Sequence, residues 1–269
     1  MITVVITTFN RLHIVNQAID SALAFLSDSQ NAEIILVDDC SSDGTVNSIK
    51  ASYHLWIQAG ILKIIELKQN FGVTGAKNAG ALIASNNWIT FLDSDDKLIA
   101  NTYCNVISTL NQLPSVVGIV FFRCITMSGL TVGRYIDSPI ALDIDHYVFN
   151  GTFGESIPFV QKDIFGIFNY PSDLRGFEGF SYFMILLAGY KAYIYPLCVR
   201  YYNDDSADSL SNQLKSGYRS RSISIGYFRM LKIGILKLSA FSSFVLLLKM
   251  CFHFVRFLIY LIHRFYLKP

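Results

Sequence analysis

The stretch W-I-T-F-L-D-S-D-D, Trp88 to Asp96, decides the fold of this 269-residue chain. Its first half is an apolar run of β-branched and aromatic residues, which is typical of a buried strand. Its second half carries three carboxylates, Asp93, Asp95 and Asp96, which a strand cannot bury without partners. They must therefore emerge where the strand ends, at the sheet edge where open α/β folds bind ligands.

The carboxylates of Asp93 and Asp95 could hold a hard divalent cation, with a diphosphate supplying the remaining oxygen ligands. The alternative is an Asp-rich turn that caps the following helix, a role that would be sufficient for Asp96. A single D-x-D pattern does not decide between the two, so the rest of the chain has to.

Three shorter apolar runs precede this strand, at Ile2–Thr7, Glu33–Val37 and Ile61–Leu67. Helical patterns separate the four runs, over Arg11–Leu26, from the polar turn at 38–45 to about Gln58, and over about Val73–Ala84. This alternation predicts βαβ units and a parallel sheet. Polar residues follow every run, namely Thr8 and Asn10, Asp38 and Asp39, Asn70, and then Asp93 and Asp95. Because the carboxyl ends of parallel strands meet at one edge of the sheet, we expect these side chains to form one site.

The second half of the chain is less regular. We predict a helix over Leu98–Leu113, a strand over Val116–Met127, a helix over Phe180–Ala188 and strand structure over Ala192–Tyr202. The glycine-rich stretch between the first strand and the second helix of this half is predicted to be irregular. We expect this half to build the pocket for a second substrate.

Composition and charge restrict the class of protein. The five cysteines are scattered and form no C-x-x-C pair, which argues against a disulfide framework or a zinc site and fits a reducing cytoplasm. The first strand begins at Ile2 without a basic segment before it, so no signal peptide is expected. Residues 1–208 carry a net charge of −8, whereas residues 209–269 contain ten Lys or Arg and no acidic residue. That asymmetry predicts an anionic partner for the tail.

Four motifs together resemble the inverting family 2 nucleotide-sugar glycosyltransferases of bacterial surface-polysaccharide assembly. The motifs are V-V-I-T-T-F-N-R (4–11), E-I-I-L-V-D-D-C-S-S-D-G-T (33–45), N-F-G-V-T-G-A-K-N-A-G (70–80) and F-L-D-S-D-D (91–96). The resemblance, over residues 1–205, implies the Rossmann-like GT-A fold, an α/β fold whose mostly parallel central sheet is flanked by helices. Residues 1–210 would form this domain, with a nucleotide-binding half at 1–97 and an acceptor-binding half at 98–210. Residues 211–269 would be a helical appendage.

The resemblance also implies a set of nucleotide-binding residues: Thr8, Phe9, Asn10, Asp39, Asn70, Gly72, Lys77 and Asp93. Thr8 and Phe9 would line the base pocket, and Asp39 would accept a hydrogen bond from the base. Asp93 would contact the ribose, and Asp95 would bind the Mn²⁺ or Mg²⁺ that bridges the diphosphate. Lys77 stands where the family usually has Arg, so a point charge replaces a bidentate contact. The alternatives are a helix cap for Asp39 and a solvated helix lysine for Lys77.

The family's general base is an Asp or Glu in an acidic pair that precedes a helix. The matching stretch is L-R-G-F-E-G-F-S-Y-F (174–183), in which Glu178 is present and Gly179 occupies the second acidic position. Either Glu178 acts alone as the base, or its role is at the surface or at a helix cap and catalysis is lost. Weaker substitutes are Glu155, Asp173, Asp204 and Asp205. No metal-binding histidine is expected, and the isolated His146 is predicted to be structural.

The tail, residues 211–269, is predicted to be helical, basic and amphipathic. Lys249, His253, Arg256, Tyr260 and His263/Arg264 recur at steps of three or four and form one stripe opposite a wide apolar face. This pattern favours a helix that lies in the membrane interface, because a spanning helix needs about 20 residues with few charges. The alternative is a helical hairpin that packs on the catalytic domain with its basic face in solvent.

The resemblance therefore implies a metal-dependent inverting transferase that moves a sugar from a UDP-sugar to a saccharide or lipid-linked saccharide acceptor. It would be cytoplasmic and bind the anionic inner face of the plasma membrane through residues 213–269, with no nucleic-acid partner. Two alternatives remain, a catalytically impaired protein on the same fold and a D-x-D phosphohydrolase, although the latter needs Thr or Val where Lys97 stands. A dinucleotide-dependent dehydrogenase is excluded because no G-x-G-x-x-G follows the first strand.

Overall fold

A computed structural model describes residues 1–203 and 217–266 of the chain. The strands are β1 Ile2–Thr8, β2 Glu33–Asp38, β3 Leu62–Glu66, β4 Trp88–Asp93, β5 Lys97–Leu98, β6 Val117–Thr126, β7 Ile140–Leu142, β8 Ser156–Gln161 and β9 Lys191–Tyr202. Within the described residues they form one sheet in the order β3-β2-β1-β4-β8-β6-β9-β5, with β7 also paired to β9.

Helices cover both faces of this sheet. They are α1 Val15–Phe25, α2 Thr45–Ser52, α3 His54–Gln58, α4 Gly72–Ile83, α5 Tyr103–Asn111, α6 Ile144–Asn150, α7 Lys162–Ile167, α8 Gly179–Leu187, α9 Gly217–Gly234 and α10 Ala240–Tyr266. The helices α1, α2 and α5 contribute buried side chains to one core, and α4, α7 and α8 contribute to the core on the opposite face. The predicted α/β architecture is confirmed.

The first half of the sheet is parallel, as the alternation of strands and helices predicts. In the strand register, Thr8 lies opposite Asp38, and Thr7 lies opposite Asp93. The polar residues that follow β1, β2, β3 and β4 therefore share one edge of the sheet. Two predicted helix bounds are wrong here, because α1 begins at Val15 rather than Arg11, and the helix expected to reach Gln58 is interrupted at Tyr53.

The second half of the sheet contains antiparallel pairs and more structure than predicted. The strand β8 lies between β4 and β6 and is antiparallel to both, whereas β6 and β9 are parallel. The stretch predicted to be irregular therefore contributes a central strand. The helix predicted to start at Leu98 starts at Tyr103, because Leu98 pairs with Arg200 in the β5–β9 ladder.

Two helices follow the sheet, and both belong to the predicted tail. Phe183 and Leu187 of α8 form a third core with Met230 of α9, Leu246 of α10 and Val148 of α6. The hairpin of α9 and α10 thus packs on the domain. The predicted positions Asp204, Asp205 and 213–216, and the side chains of His263 and Arg264, lie outside the described residues.

The basic stripe of α10 faces the domain rather than solvent. Lys249, His253, Arg256 and Tyr260 are all partly buried, and the Lys249 ammonium donates to the Val148 carbonyl at 2.6 Å. The solvated basic face expected for a packed hairpin is therefore wrong. The apolar residues point outward instead, and only 6% of an 18-residue segment within Ala240–Ile262 is buried.

Length and composition alone would allow α10 to cross a membrane. An 18-residue segment within Ala240–Ile262 has a mean hydropathy of 2.0. The expectation that basic residues make this segment too polar to span is thus not supported by its composition. Exposure of such an apolar helix surface to water is energetically unfavourable.

Candidate active site

The carboxylate of Asp39 joins the ends of β2 and β3 at the predicted edge. It accepts hydrogen bonds from the backbone N–H groups of Phe71 and Gly72, both at 2.7 Å. Burial raises the pKa of Asp39 above its usual value, although these two donors oppose the shift. Each carboxylate oxygen has a second lone pair, so Asp39 can hold this loop and still accept a hydrogen bond from a ligand. The neighbouring Asp38 accepts from the Ser41 N–H at 2.8 Å and supports the turn after β2.

Residues that follow β1 lie next to Asp39 at the same edge. The Thr8 carbonyl accepts a hydrogen bond from the Asp39 N–H at 2.8 Å. Phe9 is 46% exposed, so its ring is accessible for stacking. Asn10 adopts a positive φ of 52° and exchanges hydrogen bonds with the next loop, because its N–H donates to Ser41 and its side-chain oxygen accepts from Ser42. This edge therefore offers an exposed aromatic ring beside a carboxylate.

The segment before α4 is fixed by an arginine that the sequence analysis did not single out. Arg175 donates to the Asn70 side-chain oxygen at 2.5 Å and lies against Gly72, where a Cβ atom would be 2.2 Å from the Arg175 Nε. Gly72 also has a φ of +75°, which favours glycine. Arg175 precedes Glu178 by three residues, so this contact connects the loop after β3 to the approach to α8.

Lys77 connects two acidic residues that are far apart in the sequence. Its ammonium lies 3.1 Å from the Asp93 carboxylate and 3.2 Å from the Glu178 carboxylate. Although burial disfavours the charge on Lys77, these two partners raise its pKa above the usual value. Burial would likewise raise the pKa of Asp93, but Lys77 and Arg200 hold it below its usual range. The predicted alternative of a solvated lysine is wrong, because Lys77 is buried.

Glu178 immediately precedes α8, and its side chain reaches a pocket next to Asp93. The pocket has a volume of about 340 Å³ and is lined by both carboxylates and by Lys77. Such a volume is within the range of small-molecule sites. The structure therefore brings together Lys77, Asp93 and Glu178 from the two predicted halves of the domain.

A tyrosine occupies the space beside the second acidic position. The Tyr147 hydroxyl donates to the Gly179 carbonyl at 3.1 Å, and a Cβ atom at Gly179 would lie 3.0 Å from the Tyr147 oxygen. An acidic side chain at position 179 would require Tyr147 to move. Tyr147 thus fills the space that an acidic side chain at position 179 would need.

Tyrosine hydroxyls line the rest of the pocket. Tyr170 and Tyr182 form a hydrogen bond of 2.8 Å with each other, and Tyr147 completes the set. Burial raises the pKa of all three hydroxyls, so they stay protonated. The Tyr147 proton is donated to the Gly179 carbonyl and one proton is used between Tyr170 and Tyr182, so the set offers one free O–H donor and several acceptor lone pairs. The sequence analysis missed these residues, although Tyr182 stands four positions after Glu178 and therefore on the same side of α8.

Asp95 and Asp96 differ in environment. Asp95 is partly exposed, whereas Asp96 is buried, 3.1 Å from Arg200, and accepts from the Asn203 N–H at 3.1 Å. Burial raises the pKa of Asp96 to about 7, against the opposing charge of Arg200. The helix-capping role considered for Asp96 is wrong, because β5 follows it directly. Asp96 instead supports the turn that presents Asp95.

Of the weaker candidates for a base, the two that the structure describes, Glu155 and Asp173, form ion pairs with arginines. Glu155 lines the pocket but lies 3.3 Å from Arg200, with which it forms an ion pair. Asp173 forms an ion pair of 2.5 Å with Arg229 of α9 and is not part of the pocket wall. His146 lies on α6, where its ring packs against Phe153.

The two carboxylates at the end of β4 fit a divalent cation that takes most of its oxygen ligands from a bound substrate. No group of three or more His, Cys, Asp or Glu suited to a metal occurs among the residues that the structure describes. The D-x-D turn offers two carboxylates, of which Asp93 is also paired with Lys77 and Asp95 is partly exposed. Mg²⁺ is commonly bound by one or two carboxylates together with substrate phosphates, so this number of protein ligands is sufficient.

Comparison with known proteins matches more than half of the chain to one family. The family model described as Glycosyl transferase family 2 matches residues 3–168. The succinoglycan biosynthesis protein ExoO of Rhizobium meliloti is 28% identical over 52% of this chain and 38% of its own length. The Escherichia coli protein WfaP, named UDP-Glc:alpha-D-GlcNAc-diphosphoundecaprenol beta-1,3-glucosyltransferase, is 33% identical over 40% of each chain. The chain thus spans about two fifths of the length of these relatives.

A solved structure has the same fold along the whole chain. The mannosyltransferase PcManGT from Pyrobaculum calidifontis, in complex with GDP-Man and Mn²⁺, has a TM-score of 0.63 and 13% identity. The alignment covers 100% of this chain and 88% of that one. At this identity the likeness establishes the GT-A fold.

Proposed function

The chain belongs to glycosyl transferase family 2, and on that basis we propose that it transfers a sugar from a nucleotide sugar to an acceptor hydroxyl with inversion. The observation that carries this proposal is the contact of one buried lysine, Lys77, with both Asp93 and Glu178. Asp93 belongs to the edge where a nucleotide would bind, and Glu178 belongs to the tyrosine-lined pocket. A donor and an acceptor would therefore meet at Lys77. Family membership leaves the phosphohydrolase alternative without support.

The nucleotide would lie along the ends of β1, β2 and β3. The exposed ring of Phe9 can stack on a base, and the Asp39 carboxylate has a lone pair for a base N–H. The backbone N–H groups of Phe71 and Gly72 donate to the Asp39 carboxylate and hold the segment Asn70–Gly72 close to it, so the backbone can approach the nucleotide. Asp93 would contact the ribose. The donor of WfaP is UDP-Glc by its name, which supports a UDP-sugar for this chain.

Asp95 would hold Mn²⁺ or Mg²⁺, with diphosphate oxygens as further ligands. When bound, the cation supplies positive charge that stabilises the leaving diphosphate. PcManGT, which shares the fold, was solved with Mn²⁺. Lys77 is buried beside Asp93 and adds a second positive charge on the same side of the pocket.

Glu178 would remove the proton from the acceptor hydroxyl. One of its oxygens accepts from Lys77 at 3.2 Å, which fixes the carboxylate and leaves the other oxygen for the acceptor. The hydroxyls of Tyr147, Tyr170 and Tyr182 can orient the acceptor sugar by hydrogen bonds. The deprotonated acceptor oxygen would bond to the anomeric carbon from the face opposite the nucleoside diphosphate, while the bond from that carbon to the diphosphate oxygen breaks. The proton stays on Glu178, the diphosphate leaves, and the anomeric centre inverts.

We further propose that the acceptor is a lipid-linked saccharide and that α10 lies on the anionic inner surface of the plasma membrane. WfaP acts by its name on a diphosphoundecaprenol-linked sugar. The outward face of α10 is apolar, and described residues of α9 and α10 carry basic but no acidic side chains. The five cysteines are free, which fits the reducing cytoplasmic side.

Nucleotide binding tests the proposed donor site. Thermal unfolding should be shifted upward by one of UDP, GDP or dTDP, with UDP expected, and the shift should require Mn²⁺ or Mg²⁺. Asp95→Asn should weaken the metal-dependent part of the shift. If none of the nucleotides stabilises the protein in the presence of metal, the proposed function is wrong.

Vesicle flotation tests the membrane surface. The full chain should float with vesicles that contain anionic phospholipid, and carbonate should release it if α10 lies on the surface. Phe244→Glu combined with Phe252→Glu should abolish flotation, because both side chains are at least half exposed and would carry charge into the bilayer. Leu236→Glu, on the 96% exposed loop position before α10, is the matched control. Unchanged flotation of the double variant would contradict the proposal.

A further inference from the structure

Three basic side chains lie between the Glu178 pocket and the outer face of α10. Arg219 of α9 lines the pocket together with Glu178 and Gly176. His253 and Arg256 are one helical turn apart on α10, and the charges of Arg219 and Arg256 both act on His253. Burial and these two charges lower the pKa of His253, so the positive charge between the pocket wall and the inner side of α10 belongs to Arg219 and Arg256.

The outer side of α10 is an apolar surface. Phe244, Leu248, Phe252, Val255 and Ile259 are each more than 50% exposed. These positions recur at helical spacing, so they form one face opposite the basic stripe. The protein thus presents a polar pocket, a positively charged group and an apolar face in that order.

We propose that the guanidinium groups of Arg219 and Arg256, with a hydrogen bond from the His253 ring, bind the phosphate or diphosphate that joins the sugar of a lipid-linked acceptor to its lipid. This inference rests on the proposed function, because the acceptor sugar has to lie at Glu178 for its phosphate to reach Arg219. Such an acceptor carries a sugar, an anionic ester and a hydrocarbon chain in the same order as the three surfaces. Guanidinium groups bind phosphate oxygens by charge-assisted, bidentate hydrogen bonds.

The position of Arg219 separates this site from a general attraction to anionic lipid. Arg219 belongs to the pocket wall, whereas Arg221, two residues further along α9, is exposed and is not part of that wall. A headgroup at the bilayer surface would be attracted to either charge. Binding of a phosphate attached to a sugar in the pocket would depend on Arg219 and not on Arg221.

A soluble prenyl diphosphate provides the first test. Binding of geranyl diphosphate to the full chain is measured by thermophoresis in neutral detergent, with the donor site saturated by UDP and Mn²⁺. Geraniol, which lacks the diphosphate, should bind at least about tenfold more weakly, as expected for the loss of charge-assisted hydrogen bonds. Arg219→Gln and Arg256→Gln should each weaken the binding of geranyl diphosphate by about tenfold. Arg221→Gln should leave the affinity for geranyl diphosphate within about twofold of the wild-type value.

Phosphatidylglycerol in the same micelles distinguishes the two sources of phosphate. If Arg219→Gln weakens binding to phosphatidylglycerol as much as to geranyl diphosphate, these basic residues bind membrane headgroups and the proposed acceptor-phosphate site is wrong. Equal effects of Arg219→Gln and Arg221→Gln on geranyl diphosphate binding would also overturn the proposed site. If UDP binds but geranyl diphosphate does not, this inference fails while the proposed function stands. If UDP does not bind, the proposed function has failed.

Steady-state kinetics with a lipid-linked acceptor provide the second test. Arg219→Gln should raise KM for the acceptor about tenfold and leave KM for the nucleotide sugar unchanged. Arg219→Lys keeps the positive charge and should recover most of the acceptor affinity, which a merely structural loss would not predict. A change confined to kcat, with both KM values unchanged, would contradict the proposal.

Discussion

Replacing Lys77 with methionine removes one cation that lies between two carboxylates. The Lys77 side chain is only 9% exposed, and its ammonium is 3.1 Å from Asp93 and 3.2 Å from Glu178. Each contact would be worth about 5 kcal/mol at an effective dielectric constant of about 20, but the cost of burying the ammonium offsets much of this. The methionine keeps the length and apolar stem of the side chain, so the variant tests mainly the charge.

The net loss of stability follows from what the variant leaves behind. Removing one partner of a fully buried ion pair costs about 3–5 kcal/mol, because the remaining charge stays buried. Asp93 and Glu178 are 41% and 23% exposed, so solvent screens both. We therefore expect Lys77→Met to lower the free energy of unfolding by about 2 kcal/mol at pH 7.

The loss should depend on pH in a defined direction. In the wild type the pKa of Asp93 is held below its usual value, so its stabilising charge is present above about pH 4 and is lost as the pH falls further. In the variant the two carboxylates repel each other, and protonation relieves that repulsion. The destabilisation should therefore shrink to below about 1 kcal/mol when the pH is lowered from 7 to 4.

Urea unfolding followed by circular dichroism measures these values. Lys50→Met is the matched control, because Lys50 forms an ion pair with Glu66 in which both side chains are half exposed. Surface pairs of this kind contribute about 0–1 kcal/mol, so the control should be nearly neutral. A loss for Lys77→Met that equals the loss for Lys50→Met, or that is the same at pH 4 and pH 7, would refute the reasoning.

Two further substitutions test the packing around the site, again by urea unfolding. Gly72→Ala should cost about 2 kcal/mol and weaken UDP binding, because its φ of +75° is strained for alanine and its Cβ would displace Arg175. Gly60 has a similar φ of +73°, and no atom lies within 4 Å of where its Cβ would be, so Gly60→Ala should cost about 1 kcal/mol and leave UDP binding unchanged. Equal effects of the two substitutions would contradict the role given to Arg175. Leu246→Ala should cost about 3 kcal/mol because Leu246 is fully buried, whereas Leu248→Ala should be nearly neutral because Leu248 is 53% exposed; a neutral Leu246→Ala would show that α10 does not pack on the domain.

The parallel half of the fold could be predicted because its signals are local. Each of the first four strands is a short β-branched run that ends in polar residues, and those residues reach a common edge through the parallel register. The buried charge of Lys77 could not be predicted in this way. Its partner Glu178 is 101 positions further along the chain, and no periodic pattern reports such a contact.

The strand β8 was missed because it contains Pro158, which usually argues against a central strand. Its pairing with β4 extends only from Gln161 to Phe159, so the missing N–H of Pro158 falls where that ladder has ended. The Pro158 carbonyl still accepts from the Thr90 hydroxyl at 2.8 Å. Tertiary pairing therefore accommodates a residue that local propensity excludes.

The orientation of α10 was also beyond the reach of the sequence. Helical periodicity correctly groups Lys249, His253, Arg256 and Tyr260 on one side, and all four are partly buried. Periodicity does not say which side meets the domain. The direction is set by Leu246, which completes the third core, and by the hydrogen bond from Lys249 to the Val148 carbonyl.

The role of Glu178 is tested most directly by sugar transfer in the Glu178→Gln variant. The assay uses purified protein, Mn²⁺, a mixture of labelled UDP-sugars and membranes that contain lipid-linked saccharides, with Glu155→Gln as the matched pocket variant. Glu178→Gln should bind UDP as the wild type does and lose about 10²–10⁴-fold in transfer rate, as expected for loss of a general base. Transfer by Glu178→Gln at the wild-type rate would contradict the account, and a loss confined to Glu155→Gln would identify Glu155 as the base.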